Sequence, residues 1–383
     1  MKDKAYLMIP GPTPVPPAVT GAMTAPVIGH RSESFQVLYS GIIAKVQQLF
    51  QTKNEIYVLT SSGTGGMESA VANTVSPGDK VLTLVAGKFG ERWTELCKGY
   101  GAEVIEENFP WGTAVDVQVV KNILAAHPDI KVVFATQNET STAVVNDIEA
   151  IGKAVAATPA LFVVDGVSGV GGIEIKVDQW QVDILTTGSQ KSLMLPPGLA
   201  LQSISAKAWP VIEENKSPRY YFDLRKARKQ YAKWNTSFTP AVSLFIGLNA
   251  ALDLMLAEGM DNVYARHKRL RDAVRAAMRA LGLKLMADDA CASPVVTSVW
   301  APEGFGADDI RKVLLNEYAI TFAGGQAQLK NKIFRIAHMG YADTMDVIIA
   351  VAGLEMALAR VGCPVELGAG VKAAQQVLLE VRP

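Results

Sequence analysis

The strongest constraint on the fold is an alternation that runs through the first half of the chain. Short apolar runs of strand length take turns with stretches of helical apolar spacing. "EIYVLT" is followed by "GGMESAVANTV", "KVLTLVA" by "GERWTELCKGYG", "IKVVFATQ" by "NDIEAIGKAVAA"; then come "ALFVVDGV", "DILTTGS" and "LALQSIS". Strands that alternate with helices imply a mostly parallel sheet covered on both faces. "KVVFAT" and "LFVVDG" are unbroken apolar runs, as strands buried on both faces should be. Around residues 241–282 the pattern changes to two long helices, followed by "VVTSVWAP", "ADDIRKVLLNEY", "ITFAGG", "KIFRIAHMG" and "DTMDVIIAVAGLEMALARVG". The reading is an α/β chain with three parts: an extended, proline-rich N-terminal arm over 1–20, a large domain over 21–260, and a smaller C-terminal α+β domain over 261–383.

Composition narrows the class. Of 383 residues, 49% are hydrophobic and 19% charged, which suits a well-cored protein. Lys+Arg and Asp+Glu balance at 37 each, so bulk charge points to neither nucleic acid nor an anionic membrane. The basic stretch Arg219 to Lys233 reads as the solvated face of a helix. Cys97, Cys291 and Cys363 are far apart, and the four histidines show no ligand spacing, so neither disulfides nor a metal are expected. No apolar run approaches bilayer length and no leader-like segment opens the chain, so the expected location is the cytoplasm.

In open α/β sheets, ligands bind beyond the carboxyl ends of the strands. Four such places carry unusual chemistry. "LTSSGTGGMES" puts small residues between a strand and a helix, which makes either a structural turn or a cup for a phosphate. Asp165 ends "LFVVD" and is either a turn aspartate or a functional acid. Lys191, in "TTGSQKSLMLPPG", is the lone charge in its stretch; it either snorkels to solvent or is a desolvated amine able to form a Schiff base. Arg335, inside "KIFRIAHMG", is either half of a structural ion pair or a fork for a carboxylate. Taken together, a phosphate cup, an acid, a Schiff-base lysine and a carboxylate fork are the protein's share of a pyridoxal 5'-phosphate site.

The same stretches, together with "GPTPVPP", "HRSESF", "TQNETSTAVV" and "FAGGQAQLKNKIFRIAHMG", resemble the class V pyridoxal-phosphate-dependent aminotransferases, of the alanine–glyoxylate and serine–pyruvate kind. The resemblance implies a fold-type-I PLP-dependent transferase with a seven-stranded, mostly parallel sheet. It implies that Lys191 carries the cofactor as an internal aldimine and shuttles the proton, and that Asp165 pairs with the ring nitrogen. Phe89 would stack on the ring, where eukaryotic members have Trp, and Thr140 would contact its hydroxyl side. Thr64, Gly65, Gly66 and Gln190 would cup the phosphate, with Thr239 and Thr236, where many members have Tyr, reaching in from a neighbouring subunit. Arg335 would hold the substrate α-carboxylate. A homodimer with shared sites follows, acting by ping-pong transfer from alanine or serine to glyoxylate or pyruvate.

Three other functions are weighed beside this one. A transaminase of the same family for phosphonate or ureido amino acids needs only different pocket side chains. A desulfurase needs a mobile cysteine. A non-catalytic scaffold would not need Lys191, Asp165 and Arg335 together. No second arginine is evident in the sequence for a distal carboxylate, which disfavours aspartate and glutamate as donors.

Overall fold

The structure, a computed structural model, describes residues 5–380. The expected N-terminal arm and C-terminal domain each extend beyond these limits, and residues 1–4 and 381–383 lie outside the described part.

The chain opens with β1 (Tyr6–Met8), α1 (Pro17–Met23) and α2 (Glu33–Phe50). Pro17 sits in the first turn of α1, where its missing N–H costs nothing. The alternation then begins: β2 (Glu55–Thr60), α3 (Gly63–Thr74), β3 (Lys80–Val85), α4 (Lys88–Gly99), β4 (Glu103–Asn108), α5 (Val117–Ala126) and β5 (Val132–Thr136). A small hairpin of β6 (Asn138–Glu139) and β7 (Val144–Val145) follows, then α6 (Ile148–Ala156), β8 (Leu161–Asp165), β9 (Ile184–Gly188) and β10 (Leu199–Ile204). Most of these helices start on side-chain caps: Ser32, Ser62, Asp116 and Asp147 each accept a backbone N–H of the first turn. α4 starts at Gly87 and has no cap of its own.

The seven-stranded sheet has the order β2-β10-β9-β8-β5-β3-β4. From β9 through β8, β5 and β3 to β4 the neighbours are parallel; β10 runs antiparallel to both β9 and β2. The unbroken apolar runs are explained by what they bury. In β5 and β8, Val133, Ala135, Phe162 and Val164 face the core built with α2 and α9 (Val242–Glu258). Their alternates Val132, Phe134, Leu161 and Val163 face a second core on the other side, with Trp93 of α4.

After β10 come α7 (Ala208–Glu214), α8 (Leu224–Tyr231), α9 and α10 (Met260–Ala280). The chain bends by 84° between α9 and α10. Gly259, at φ 84°, supplies a left-handed corner. α9 packs on the large sheet and α10 in a separate core, with β11 (Val296–Trp300), α11 (Ala307–Tyr318), β12 (Ile320–Gly324), β13 (Ile333–Ala337), α12 (Thr344–Arg360) and α13 (Ala369–Glu380). The smaller sheet has the order β1-β12-β13-β11, so the N-terminal strand completes it. Glu355 of α12 accepts the N–H groups of Gly368, Gly370 and Val371 and so caps the final helix. Among the described residues, no single helix is long and apolar enough to cross a membrane.

One reading of the sequence is corrected. Arg219 does not lie on a solvated helix face. Its side chain is 2% exposed. It donates to the carbonyl oxygens of Ile212, Asn215 and Ser217, tying the loop before α8.

Candidate active site

β2 and β9 are both antiparallel to β10, so they point the same way as the rest of the large sheet. The chain therefore leaves β2, β3, β5, β8 and β9 at one edge. The residues just beyond are Ser61–Gly66, Ala86–Phe89, Gln137–Ser141, Asp165 and Ser189–Lys191. This one topological fact gathers most of the candidate residues.

At the start of α3, Ser62 Oγ accepts the Gly65 N–H at 3.3 Å, and Thr64 Oγ1 accepts from Arg92 Nη1 at 3.1 Å. Gly65 is required by space: a Cβ there would lie 2.1 Å from Ser61 Oγ and 3.1 Å from the Phe222 ring. Gly66 is buried, and Thr186 Oγ1 beside it has no partner among the described residues. Gln190 Oε1 is likewise buried and unpartnered. Phe89 is half-buried in α4, and the Arg92 guanidinium lies 4.9 Å from its ring centroid.

Asp165 is 3% exposed. Its Oδ1 accepts the Val167 N–H at 2.7 Å, and no cation pairs with it among the described residues. Burial pushes its carboxyl up to about 6; Glu139 adds to the rise, while the Val167 bond and the charges of Arg92 and Lys191 oppose it.

Lys191 donates to the carbonyl of Pro10 in the N-terminal arm. Gly11, at φ 111°, lies against the lysine stem, and a Cβ there would stand 2.5 Å from Nζ. Thr13 Oγ1 donates to the Lys191 carbonyl at 2.9 Å, and Thr13 N to the Gln190 carbonyl at 3.2 Å. The proline-rich arm is thus a strap over the lysine loop. Burial holds the Lys191 amine down at about 8, with the nearby Arg335 charge acting in the same direction.

Arg335 lies in β13 and is 5% exposed. Its Nε donates to the Gly324 carbonyl at 3.0 Å and its Nη1 to the Thr140 carbonyl at 2.9 Å. No carboxylate pairs with it among the described residues, and burial lowers it to about 10. The contact with Thr140 brings the smaller sheet onto the edge of the larger one.

Thr236 and Thr239 are not brought to the cup. Thr236 Oγ1 donates to the Phe238 carbonyl at 2.7 Å, and Thr239 is exposed. Neither is hydrogen-bonded to residues 61–66 of its own chain.

Two groups escaped the sequence reading. Arg92 brings a second guanidinium to this edge, near enough to influence both Asp165 and Lys191. Glu139 is 0% exposed, and its carboxylate accepts four hydrogen bonds: Phe89 N and Gly90 N at 3.0 Å each, Ser141 N at 3.1 Å and Ser141 Oγ at 2.5 Å. It supplies the cap that α4 lacks. The signal was present, because Glu139 is the lone charge in "VVFATQNETSTAVVN", just as Lys191 is in its own stretch. His338, near the motifs, is fully buried against Thr297 Oγ1 at 3.0 Å, and burial drives its pKa down to about 3.

The chain is 45% identical, over 99% of both chains, to a Synechococcus sp. (strain PCC 6716) protein named soluble hydrogenase, small subunit. It is 42% identical to the L-aspartate–glyoxylate aminotransferase of Paracoccus denitrificans, over 98% of this chain and 96% of that one. It is 39% identical to the serine–glyoxylate aminotransferase of Hyphomicrobium methylovorum, over 97% and 94%. Among solved structures, the ureidoglycine–glyoxylate aminotransferase of Bacillus subtilis superposes with a TM-score of 0.94 at 33% identity, covering 99% of both chains. The architecture is that of the fold-type-I enzymes. Residues 5–345 match the family described as aminotransferase class-V, and the chain belongs to that pyridoxal-phosphate-dependent family of transferases.

Proposed function

We propose that the protein transfers an amino group from a small amino acid, serine or alanine, to glyoxylate or pyruvate, using the sheet edge around Lys191. One observation carries the assignment: Asp165, Lys191 and Arg335 converge while buried or half-buried, and none of them forms an ion pair among the described residues. Charged groups left this way are costly unless a ligand completes them.

The residues fit pyridoxal phosphate. The unpartnered Thr186 and Gln190 oxygens lie at the cup, and the α3 N-terminus with Thr64, Gly65 and Gly66 suits the phosphate. Arg92, bonded to Thr64, adds a cation there. Asp165 would hold the ring nitrogen, Phe89 would cover a ring face and Thr140 would stand at the hydroxyl side. Lys191 would anchor the group. When bound, pyridoxal phosphate supplies an electron-accepting ring that stabilises charge at the substrate Cα. Lys191 Nζ moves the Cα proton, which its lowered pKa suits. Arg335 keeps donor capacity beyond its two carbonyl bonds and holds the α-carboxylate, orienting Cα toward Lys191.

The relatives' names support glyoxylate as acceptor. The name of the Paracoccus relative adds aspartate to serine and alanine as a donor to be tested. The hydrogenase name belongs to the Synechococcus relative; the charged set at this edge favours transamination. A desulfurase is disfavoured because Cys97 is packed in a core and burial pushes the Cys291 thiol up. The exposed aromatics Tyr220 and Tyr221, in the segment that leads to Thr236 and Thr239, support a homodimer that shares its sites. Three unpaired cysteines suit the cytoplasm.

The test is a half-reaction screen by absorbance. Serine, alanine or aspartate alone should bleach the visible band of the bound cofactor, and glyoxylate should restore it. Bleaching only by a phosphonate or ureido amino acid would overturn the substrate class. Absence of any visible band would overturn the site.

A further inference from the structure

We propose that Glu139 is a positioning residue for this site: one buried carboxylate that locks the start of α4, with Phe89, to the segment whose next residue, Thr140, holds Arg335. The inference rests on the proposed function and adds to it the part that spaces the ring-covering and carboxylate-holding sides.

The argument is geometric. Gly87 cannot cap α4, so the first N–H groups of that helix need an acceptor from elsewhere. Glu139 Oε2 accepts two of them, Phe89 N and Gly90 N. A carboxylate at a helix N-terminus is also favoured by the helix dipole. Glu139 Oε1 is occupied by Ser141 N and Oγ, and Ser141 Oγ in turn accepts Lys88 N at 3.0 Å. Both oxygens are therefore committed, and the side chain has no freedom left. On its far side, the backbone continues into Thr140, whose carbonyl accepts from Arg335 Nη1. A chain of short, saturated contacts runs from Phe89 through Glu139 and Thr140 to Arg335, crossing from the large sheet to the small one. Glu139 is also the carboxylate that most favours the charged form of the buried Arg335.

Two substitutions separate charge from position. Glu139→Gln keeps the volume but leaves one oxygen for four donors. Gly87→Ala keeps the charge; its Cβ would stand 2.5 Å from Glu139 Cδ and from Ser141 Oγ, and the carboxylate must move. Gly87 itself is extended at φ 164°, so the alanine adds no backbone strain.

The experiment measures thermal midpoint, hydrogen exchange of the cofactor-free protein, visible circular dichroism of the loaded enzyme, and kcat and KM for serine and glyoxylate. In both variants, exchange should quicken at Phe89 and Gly90 and in the Ile333–Ala337 strand. The visible dichroism should weaken, and KM should rise ~10-fold or more, as expected for slight misplacement of substrate-holding groups. A lowered midpoint with wild-type KM and dichroism would overturn the proposal and leave Glu139 a helix cap. Faster exchange confined to residues 88–90 would overturn the link to Arg335. Should Glu139→Gln not fold, Gly87→Ala carries the same readouts. If wild-type protein shows no visible band, the proposed function fails, while exchange in the cofactor-free protein still decides the link.

Discussion

Two regions of the molecule carry the proposed site, and they are built in opposite ways. At the carboxyl edge of the large sheet, Asp165, Glu139 and Thr140 are buried and held by backbone bonds, while Asp165, Lys191 and Arg335 have no ionic partner among the described residues. In the segment from Arg219 to Thr239, Arg219, Asp223, Arg225 and Arg228 all have partners. Arg219 is bound by three carbonyls and Arg225 pairs with Asp223 at 2.9 Å. The large apolar side chains exposed there are aromatic: Tyr220 is 72% and Tyr221 45% exposed. The first region has unmatched charge and calls for a small ionic ligand. The second has unmatched apolar surface and calls for protein. A site whose polar half belongs to one chain and whose covering half belongs to another would look like this in each chain taken singly.

The largest effect expected separates the two regions outright. Lys191→Ala should lower kcat by ~10⁴-fold and abolish the visible band with pyridoxal phosphate. Thr239→Ala should only weaken cofactor binding. Mixing the two variants tests the sharing: one site of a mixed dimer regains both Lys191 and Thr239, so activity should appear where neither parent has it in full. No gain on mixing, after subunit exchange is shown by mass, would break the comparison.

A smaller effect is expected at the clamp. Arg335→Gln should raise KM for both amino and keto acid by ~10- to 100-fold, the worth of one or two charged hydrogen bonds. An unchanged KM would assign Arg335 to joining the sheets alone.

Arg92→Gln should weaken pyridoxal phosphate binding by ~10-fold, about one charge-assisted bond, and leave pyridoxal binding unchanged. Equal losses for both would mean that Arg92 serves Phe89 rather than the phosphate end.

The mildest perturbation is pH. Burial lowers the Lys191 amine to about 8, so above that value it is mostly neutral and reactive. The rate of cofactor loading should therefore level off above pH 8. Below it, the rate should fall by about tenfold per pH unit as the amine protonates. Levelling only near pH 10 would show an ordinary, solvated lysine.

Much of the large sheet was legible because its strands bury both faces, and burial on both faces leaves an unbroken apolar run. Asp165 and Lys191 were legible for a related reason: a charge beside such a run has few plain explanations. Glu139 had the same signature and was passed over, since its partners are the backbone N–H groups of Phe89 and Gly90, which no side-chain pattern reveals. Arg92 sits in a helix with Glu91 and Glu95, where another charge looks ordinary. Arg219 misled because its partners are carbonyl oxygens, equally invisible in a residue string.

What the sequence by itself determined is the alternation, and with it the edge at which every parallel strand must end; periodicity and burial are local properties that a string of residues carries. It also determined which residues stand at those ends. The tertiary structure alone decided that the N-terminal arm lays Pro10 and Thr13 on Lys191, 181 and 178 residues further along the chain, that Glu139 caps a helix it does not belong to, and that Arg335 reaches Thr140 from a different sheet. Each of these is a hydrogen bond to backbone between distant segments. The backbone is the same at every residue, so its partners are chosen by the fold.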